Sequence, residues 1–274
     1  MNAYKTSRST HALSIFLCGL ANFLLGISSL YWRGLSDISP TTLIAYRITL
    51  SAAILTLFVG LFRKKRNIKK LTIKLVLLHC IASLLIAVNW GAFIWASIHG
   101  LFLESGLGYL LAPFFSIALG ITLYHESITF KKALSALIAF SLIIALIIFS
   151  NNLNHLTYII ISTTWGLYTY IKKLTPLDMV SGLLVETIFL TACLTIATLA
   201  FSLPVMYPSE FFTHSNKLIW LAGGVSIVPL LMLSYSTGKI PLSLTGLLQF
   251  ILPATLILVS ILTHTQKTSD APLE

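Results

Sequence analysis

Between Leu13 and Leu262 the chain alternates long apolar runs with short polar joints. The runs cover about 13–31, 41–62, 73–96, 104–124, 132–150, 156–171, 179–203, 218–236 and 240–262. Most come close to the roughly 20 residues that a helix needs to cross a hydrocarbon core of about 30 Å. Joints such as Asn151-Asn152-Leu153-Asn154 and Met206-Tyr207-Pro208-Ser209 carry turn chemistry that ends a helix. The pattern predicts an all-α polytopic membrane protein with nine transmembrane helices. Residues 1–274 form a single membrane domain, with 263–274 as a polar tail.

Composition strengthens that picture. The chain is 57% hydrophobic and 9% charged, outside the range of soluble globular proteins. A bilayer accommodates such runs because each helix satisfies its own backbone hydrogen bonds. The net charge of +10 lies mostly in the joints, which points to topology rather than nucleic acid. Lys5, Arg8, Arg63, Lys64, Lys65, Arg66, Lys69, Lys70, Lys74, Lys131, Lys132, Lys172, Lys173 and Lys239 fall on one side. Only Arg33, Lys217 and Lys267 fall on the other, so the N-terminus is expected in the cytoplasm. The Arg63–Lys70 run reads as an anchor on anionic lipid headgroups. Leu13–Leu30 reads as a first helix rather than a signal peptide, because no A-x-A-like cleavage site follows it. Cys18, Cys80 and Cys193 lie inside runs without metal-ligand spacing and read as small packing residues.

A shift of 140 residues pairs Gly26 with Gly166, Leu43 with Leu183, Gly106 with Gly246, Leu107 with Leu247 and Pro113 with Pro253. The constant offset predicts two related halves. Five crossings in the first half start the second on the opposite side, giving an inverted repeat. In transporters of that plan the substrate site lies near the midplane between halves.

Four segments carry a family resemblance: YWRGLSDISPTTLIAYR (31–47), NWGAFIWASIHGLFLESGLGYLLAPFFSIALG (89–120), WGLYTYIKKLTPLDMVSGLLVET (165–187) and PLSLTGLLQFILPA (241–254). They resemble the RarD-like branch of the EamA / drug-metabolite transporter superfamily. The resemblance implies EamA-like repeats over 11–150 and 155–262 and a location in the bacterial inner membrane. It also implies a ten-helix bundle, whereas this chain passes from its ninth run into Thr263-His264-Thr265-Gln266-Lys267. A five-plus-four arrangement, with the usual tenth helix missing, is therefore expected. Relatives in intracellular bacteria have been linked to S-adenosylmethionine uptake, which makes such nucleosides one candidate cargo.

Two charges lie deep inside runs. Arg47 is about 10 Å past Pro40 and Glu186 about 12 Å past Asp178, at 1.5 Å per residue. A lipid-facing Arg is costly, so both are expected to face the interior. Arg47 would grip an anionic group while Glu186 holds an amine or exchanges a proton. The alternative is a structural Arg–Glu pair locking the second and seventh helices. Asn89, Trp90 and Phe93 add a mid-span amide and aromatic walls, with packing as the other reading. Tyr109 and Gln249, one turn before Pro113 and Pro253, are further substrate-binding candidates. Glu104, near His99, is a second proton-coupling candidate or a charged helix start. Asp178 reads as an N-cap, and His125 and Glu126 as a solvated cytoplasmic turn. Pro113, Pro229 and Pro253 free backbone carbonyls and are candidate hinges.

These features predict a secondary transporter of a small organic metabolite or drug, working by alternating access. The chain lacks an ATP-binding P-loop, so a proton gradient or solute exchange would drive it. No cofactor, metal or catalytic constellation is expected; His79 is the histidine well inside a run, with no acid near it in sequence. The expected partners are membrane lipid and a small-molecule substrate, and a homodimer stays open. The alternative is a degenerate or non-transporting membrane protein.

Overall fold

Helices follow the apolar runs closely. In the computed structural model, the described residues are 8–35, 37–62, 72–98, 101–150, 153–175, 177–205, 217–256, 258–259 and 262. They form α1 (Arg8–Arg33), α2 (Pro40–Phe62), α3 (Ile73–Ile98), α4 (Phe102–Tyr124), α5 (Phe130–Phe149), α6 (His155–Leu174) and α7 (Met179–Phe201). A 3₁₀ turn, Lys217–Leu221, then leads into α8 (Ala222–Thr237), followed by α9 (Leu242–Gln249). After a turn at Phe250 the chain is helical again over 251–256. Among the described residues there is no strand. Lys5, the Arg63–Lys70 run, His99, Asn151-Asn152, the 206–209 joint and the 263–274 tail lie outside the described residues.

Among the described residues, seven helical segments are long and apolar enough to cross a membrane, counting Lys217–Thr237 as one. The all-α polytopic fold is as expected, while the count of nine spans is not confirmed among the described residues. Leu242–Leu256 is shorter than the rest. The other exception is α6, which is 20 residues long but carries Thr157, Ser162, Thr163, Thr164, Thr169, Lys172 and Lys173. Neighbouring helices explain its polarity: α3 and α4 pack along it, and Thr157, Ser162, Thr169 and Lys172 are buried. At the other extreme, none of the described side chains of the Phe130–Phe149 window of α5 is buried. That helix leans on α4 through Ile143 and Ile147 and turns Leu134, Leu137, Ile138, Leu142 and Ile148 outward, as lipid contact allows.

Packing is reciprocal across the chain. α1 lies on α8 as α6 lies on α3, and α2 lies on α8 as α7 lies on α3. α2 also meets α7, and α4 meets α9. Glycines set the closest approaches. A Cβ on Gly26 would stand 2.6 Å from the Thr255 side chain, and one on Gly166 would stand 2.6 Å from Phe115. The two glycines are 140 residues apart, and so are their two partners. Where α4 crosses α9, a Cβ on Gly246 would be 2.8 Å from the Pro113 carbonyl oxygen.

The turn after α4 departs from the expected solvated joint. His125 adopts a left-handed conformation (φ 51°) that closes the helix, and the Glu126 N–H donates to the Gly120 carbonyl at 3.1 Å. Glu126 then reaches the start of α9. Its Oε1 accepts from Leu242 N–H and its Oε2 from Ser243 N–H, both at 2.7 Å. Lys173 at the end of α6 pairs with Oε1 at 3.1 Å and donates to the Ile240 carbonyl at 2.8 Å. One carboxylate therefore ties the α4–α5 turn to α6 and α9.

Partial burial pushes the Glu126 pKa up, but the two backbone donors, the Ser243 hydroxyl and Lys173 outweigh it and leave it below the ordinary carboxylate value. A lowered folded-state pKa means that the clamp stabilises fully above the unfolded-state pKa and loses its contribution as pH falls through the folded one. Glu126→Gln should therefore unfold more easily at pH 7, by about 1.5–3 kcal/mol for charge-assisted hydrogen bonds. The gap between variant and wild type should close in acid, measured by thermal unfolding in detergent from neutral to acidic pH.

Candidate functional site

Buried polar groups gather at two places along α3. The first is built on α2, where Arg47 follows the helix start at Pro40 by seven residues and is only 9% exposed. Its guanidinium carbon lies 3.6 Å from the centre of the Trp90 ring on α3 and 5.0 Å from that of Trp32 at the end of α1. The cation is thus stacked on tryptophan rings rather than paired with an acid. Its Nε is buried and has no hydrogen-bond partner, and among the described residues no carboxylate forms an ion pair with it. Its electrostatic neighbours are the Tyr109 and Tyr31 hydroxyls.

Asn89, beside Trp90, turns to α6 and α4. Its Nδ2 donates to the Ile161 carbonyl (2.9 Å) and Thr164 Oγ1 (3.1 Å), and its Oδ1 accepts from Tyr109 OH (3.0 Å). Both amide protons are used, so Asn89 fastens three helices at a buried crossing. Tyr109 packs edge-on against Phe93 (5.7 Å) and Trp165 (6.2 Å). Arg47, Asn89, Trp90, Phe93 and Tyr109 are therefore brought together, joined by Trp32 and Trp165.

The second place lies toward the other end of α3. Glu186 on α7 is buried, and its Oε1 accepts from Lys172 Nζ at 2.7 Å and contacts His79 Nδ1 at 2.6 Å. The ionised carboxylate only accepts hydrogen bonds, so Nδ1 carries the imidazole proton in this arrangement. Gly182, one turn before Glu186, makes the fit possible, since a Cβ there would stand 2.6 Å from His79 Cε1. Lys172 sits near the end of α6 and extends inward, with Tyr168 one turn earlier at 5.8 Å. His79 Nε2, Tyr168 OH and Ser234 Oγ are all buried without a hydrogen-bond partner.

This arrangement replaces the Arg47–Glu186 pair considered from the sequence. Glu186 takes its cation from α6 and an imidazole from α3, and Arg47 stacks on tryptophans instead. Trp90 and His79 are eleven residues apart on α3, about 16 Å of helix rise. Arg47 and Glu186 therefore serve separate places.

Gln249 is 1% exposed; it donates to Thr169 Oγ1 at 2.8 Å and accepts from Ser116 Oγ at 2.9 Å, joining α9 to α6 and α4. Glu104 in the first turn of α4 is buried, accepts from the Asn154 backbone at 3.2 Å, and so meets the residue that caps α6. Asp178 caps α7 through Ser181 N–H at 3.1 Å, as the sequence predicts. Pro113 and Pro229 lie inside α4 and α8, and Pro253 lies in the helical stretch after the Phe250 turn. Cys18, Cys80 and Cys193 are free thiols. Among the described residues no group of three His, Cys, Asp or Glu side chains is placed to hold a metal.

No family profile matches the chain. It is 29% identical to the uncharacterized transporter YojE of Bacillus subtilis, over 90% of this chain and 84% of that protein. It is 27% identical to an uncharacterized transporter of Vibrio cholerae, over 93% and 86%. It is 25% identical to protein RarD of Salmonella typhimurium, over 90% and 85%. A solved crystal structure shares the fold with a TM-score of 0.68 at 18% identity, covering 94% of this chain and 90% of that one. The chain is thus an all-α, multi-pass membrane protein that resembles RarD and uncharacterized transporters along about nine-tenths of its length.

Proposed function

We propose that the protein is a secondary transporter that carries a small organic solute across the bacterial inner membrane by alternating access between two inverted halves. The observation that carries the reading is Arg47, a buried cation with no counter-ion among the described residues, stacked against Trp90 and Trp32. A cation–π contact contributes roughly 2 kcal/mol or more when desolvated, less than removing a charge from water costs. An anionic group on the solute supplies the missing compensation. Stacking occupies the faces of the guanidinium and leaves its N–H edge for a carboxylate or phosphate. Phe93, Tyr109 and Trp165 add aromatic walls, which favour a planar solute. S-adenosylmethionine-like nucleosides carry both a carboxylate and a planar ring and stay within this class.

The reciprocal packing supports an inverted repeat, with α1–α4 related to the region from α6 to α9. Alternating access then exchanges the two halves' roles across the α2–α7 and α4–α9 crossings. Pro113, Pro229 and Pro253 free carbonyls in α4, in α8 and in the helical stretch after Phe250, and are the proposed bending points. Asn89 and Gln249 fasten α6 to its neighbours, so they set the geometry of the pathway around the solute. The names of the relatives favour transport over catalysis. The charge bias of the joints favours a cytoplasmic N-terminus.

Proteoliposomes offered aromatic amino acids, phthalate and nucleoside carboxylates should take up at least one of them. Arg47→Ala should reduce that uptake about tenfold or more, a loss of ~1.4 kcal/mol in binding. Arg47→Lys should recover it only in part, because an ammonium neither stacks nor forks. Unchanged uptake by Arg47→Ala would remove Arg47 from the site, and no uptake of any solute by the wild type would defeat the transport reading. For orientation, Asp37→Cys in intact cells should react with a membrane-impermeant maleimide, whereas Lys131→Cys should react only after permeabilisation. The opposite pattern would reverse the assigned sidedness.

A further inference from the structure

The cluster around Glu186 is not needed to bind an anion at Arg47, yet it concentrates ionisable groups in the interior of the bundle. Lys172 and Glu186 form a close ion pair whose side chains are 4% and 3% exposed. Lys172 supplies the counter-charge to the carboxylate. His79 adds a third group at 2.6 Å, on the same carboxylate oxygen that Lys172 uses. Its other nitrogen, Nε2, is buried and bonded to nothing.

We infer that this cluster is the proton-coupling site of transport, with His79 rather than Glu186 as the group that takes up the proton. The inference rests on the transport reading above. Glu186 is poorly suited to the task because Lys172 would lose its counter-charge whenever the carboxylate became neutral. His79 can accept a proton on the Nε2 lone pair while keeping its Nδ1–H bond to Glu186. The step is a simple addition: the neutral imidazole becomes imidazolium, and release from Nε2 on the other side of the membrane restores it.

Two features of the surroundings fit a group that changes charge. Tyr168 OH lies buried beside Ser234 Oγ and Glu186 without a hydrogen bond of good geometry to either. They supply polar atoms from α6 and α8 beside the carboxylate. Gly182 lets the ring stand against α7, so the imidazole's position is set by backbone rather than by a flexible side chain. The ionisable groups facing the cluster are Glu186 and Cys193 from α7, Lys172 and Tyr168 from α6, and Cys80 from α3 itself. On α4, which also packs on α3, Glu104 and Tyr109 are engaged elsewhere, by Asn154 and Asn89.

The two places on α3 then explain why proton and solute move together. With the solute absent, Arg47 is already an uncompensated buried cation, and an imidazolium would add a second. A bound anion neutralises the first and makes the second tolerable. By linkage, protonation of His79 strengthens anion binding by the same factor.

Two measurements test this separately from transport itself. In nanodiscs, the imidazole nitrogens of isotopically labelled His79, assigned by their loss in His79→Gln, should pass from the Nδ1–H form to the doubly protonated ring between pH 8 and pH 5. An imidazole that keeps one form across that range overturns the inference, whatever the protein transports. In proteoliposomes with radiolabelled phenylalanine or phthalate, His79→Gln should keep counterflow within twofold of wild type. Its accumulation driven by an inward proton gradient should fall at least tenfold. Gradient-driven accumulation that survives in His79→Gln overturns the assignment while leaving the transporter intact. Failure of the wild type in counterflow strikes the transport reading instead, and the resonance titration still decides the role of His79.

Discussion

Enclosure of polar side chains by other helices is the constraint on which this bundle depends. A hydrocarbon medium offers no partners for hydroxyls, amides or ammonium groups, so a polar helix survives only where neighbours complete its bonds. α6 is that helix. Its Thr164 meets Asn89 of α3, its Thr169 meets Gln249 of α9, and its Lys172 meets Glu186 of α7. Each bond ties a different element to the same axis. The largely apolar α5 stays at the periphery, its lysines confined to the first turn and its Ser135 bonded back to the Lys131 carbonyl.

The same constraint gives the glycines their positions. Side-chain bonds across a crossing require helices to approach closely, and a methyl group at the contact would hold them apart. Gly166 lets α6 reach α4 at Phe115, and Gly26 lets α1 reach Thr255 in the equivalent way. Gly246 brings α9 down onto Pro113, where the proline has already left the helix one hydrogen bond short. Close contact and weakened backbone therefore coincide at the α4–α9 crossing. That is a reasonable place for two packed elements to have more than one arrangement.

Much of the scaffold was legible in the sequence, for local reasons. Apolar runs and turn residues located the helices, and Asp178 declared itself as a cap because an N-cap's partner lies three residues away. Arg47 and Glu186 stood out because a charge inside an apolar run is conspicuous. Their partners did not, because the pairing is a property of three dimensions. His79 is 107 residues from Glu186, and Lys172, close to a helix end, looks like an ordinary topology lysine. Glu126 was misread for the same reason: a carboxylate in a short polar joint resembles a solvated turn, and its donors on α9 lie more than a hundred residues on. The apolar-run count also treated α6 as an ordinary span, although its threonines and lysines record burial by protein rather than by lipid.

The separation of Arg47 from Glu186 alters the physical picture of the pathway. A single ion pair between α2 and α7 would have been a lock, with both charges cancelled and little left to act on a solute. Instead, one charge is paired with Lys172 and hydrogen-bonded to His79, and the other has no acidic partner among the described residues. Stacking against Trp32 and Trp90 shields Arg47 from lipid without neutralising it, which keeps its electrostatic demand available to a ligand. The excess of positive charge in the interior is therefore built into the fold at one defined place. Helix α3 spans from that place to the Glu186 cluster. A tilt of α3 would move Trp90 against Arg47 and His79 against Glu186 together, so the two environments can change in one motion.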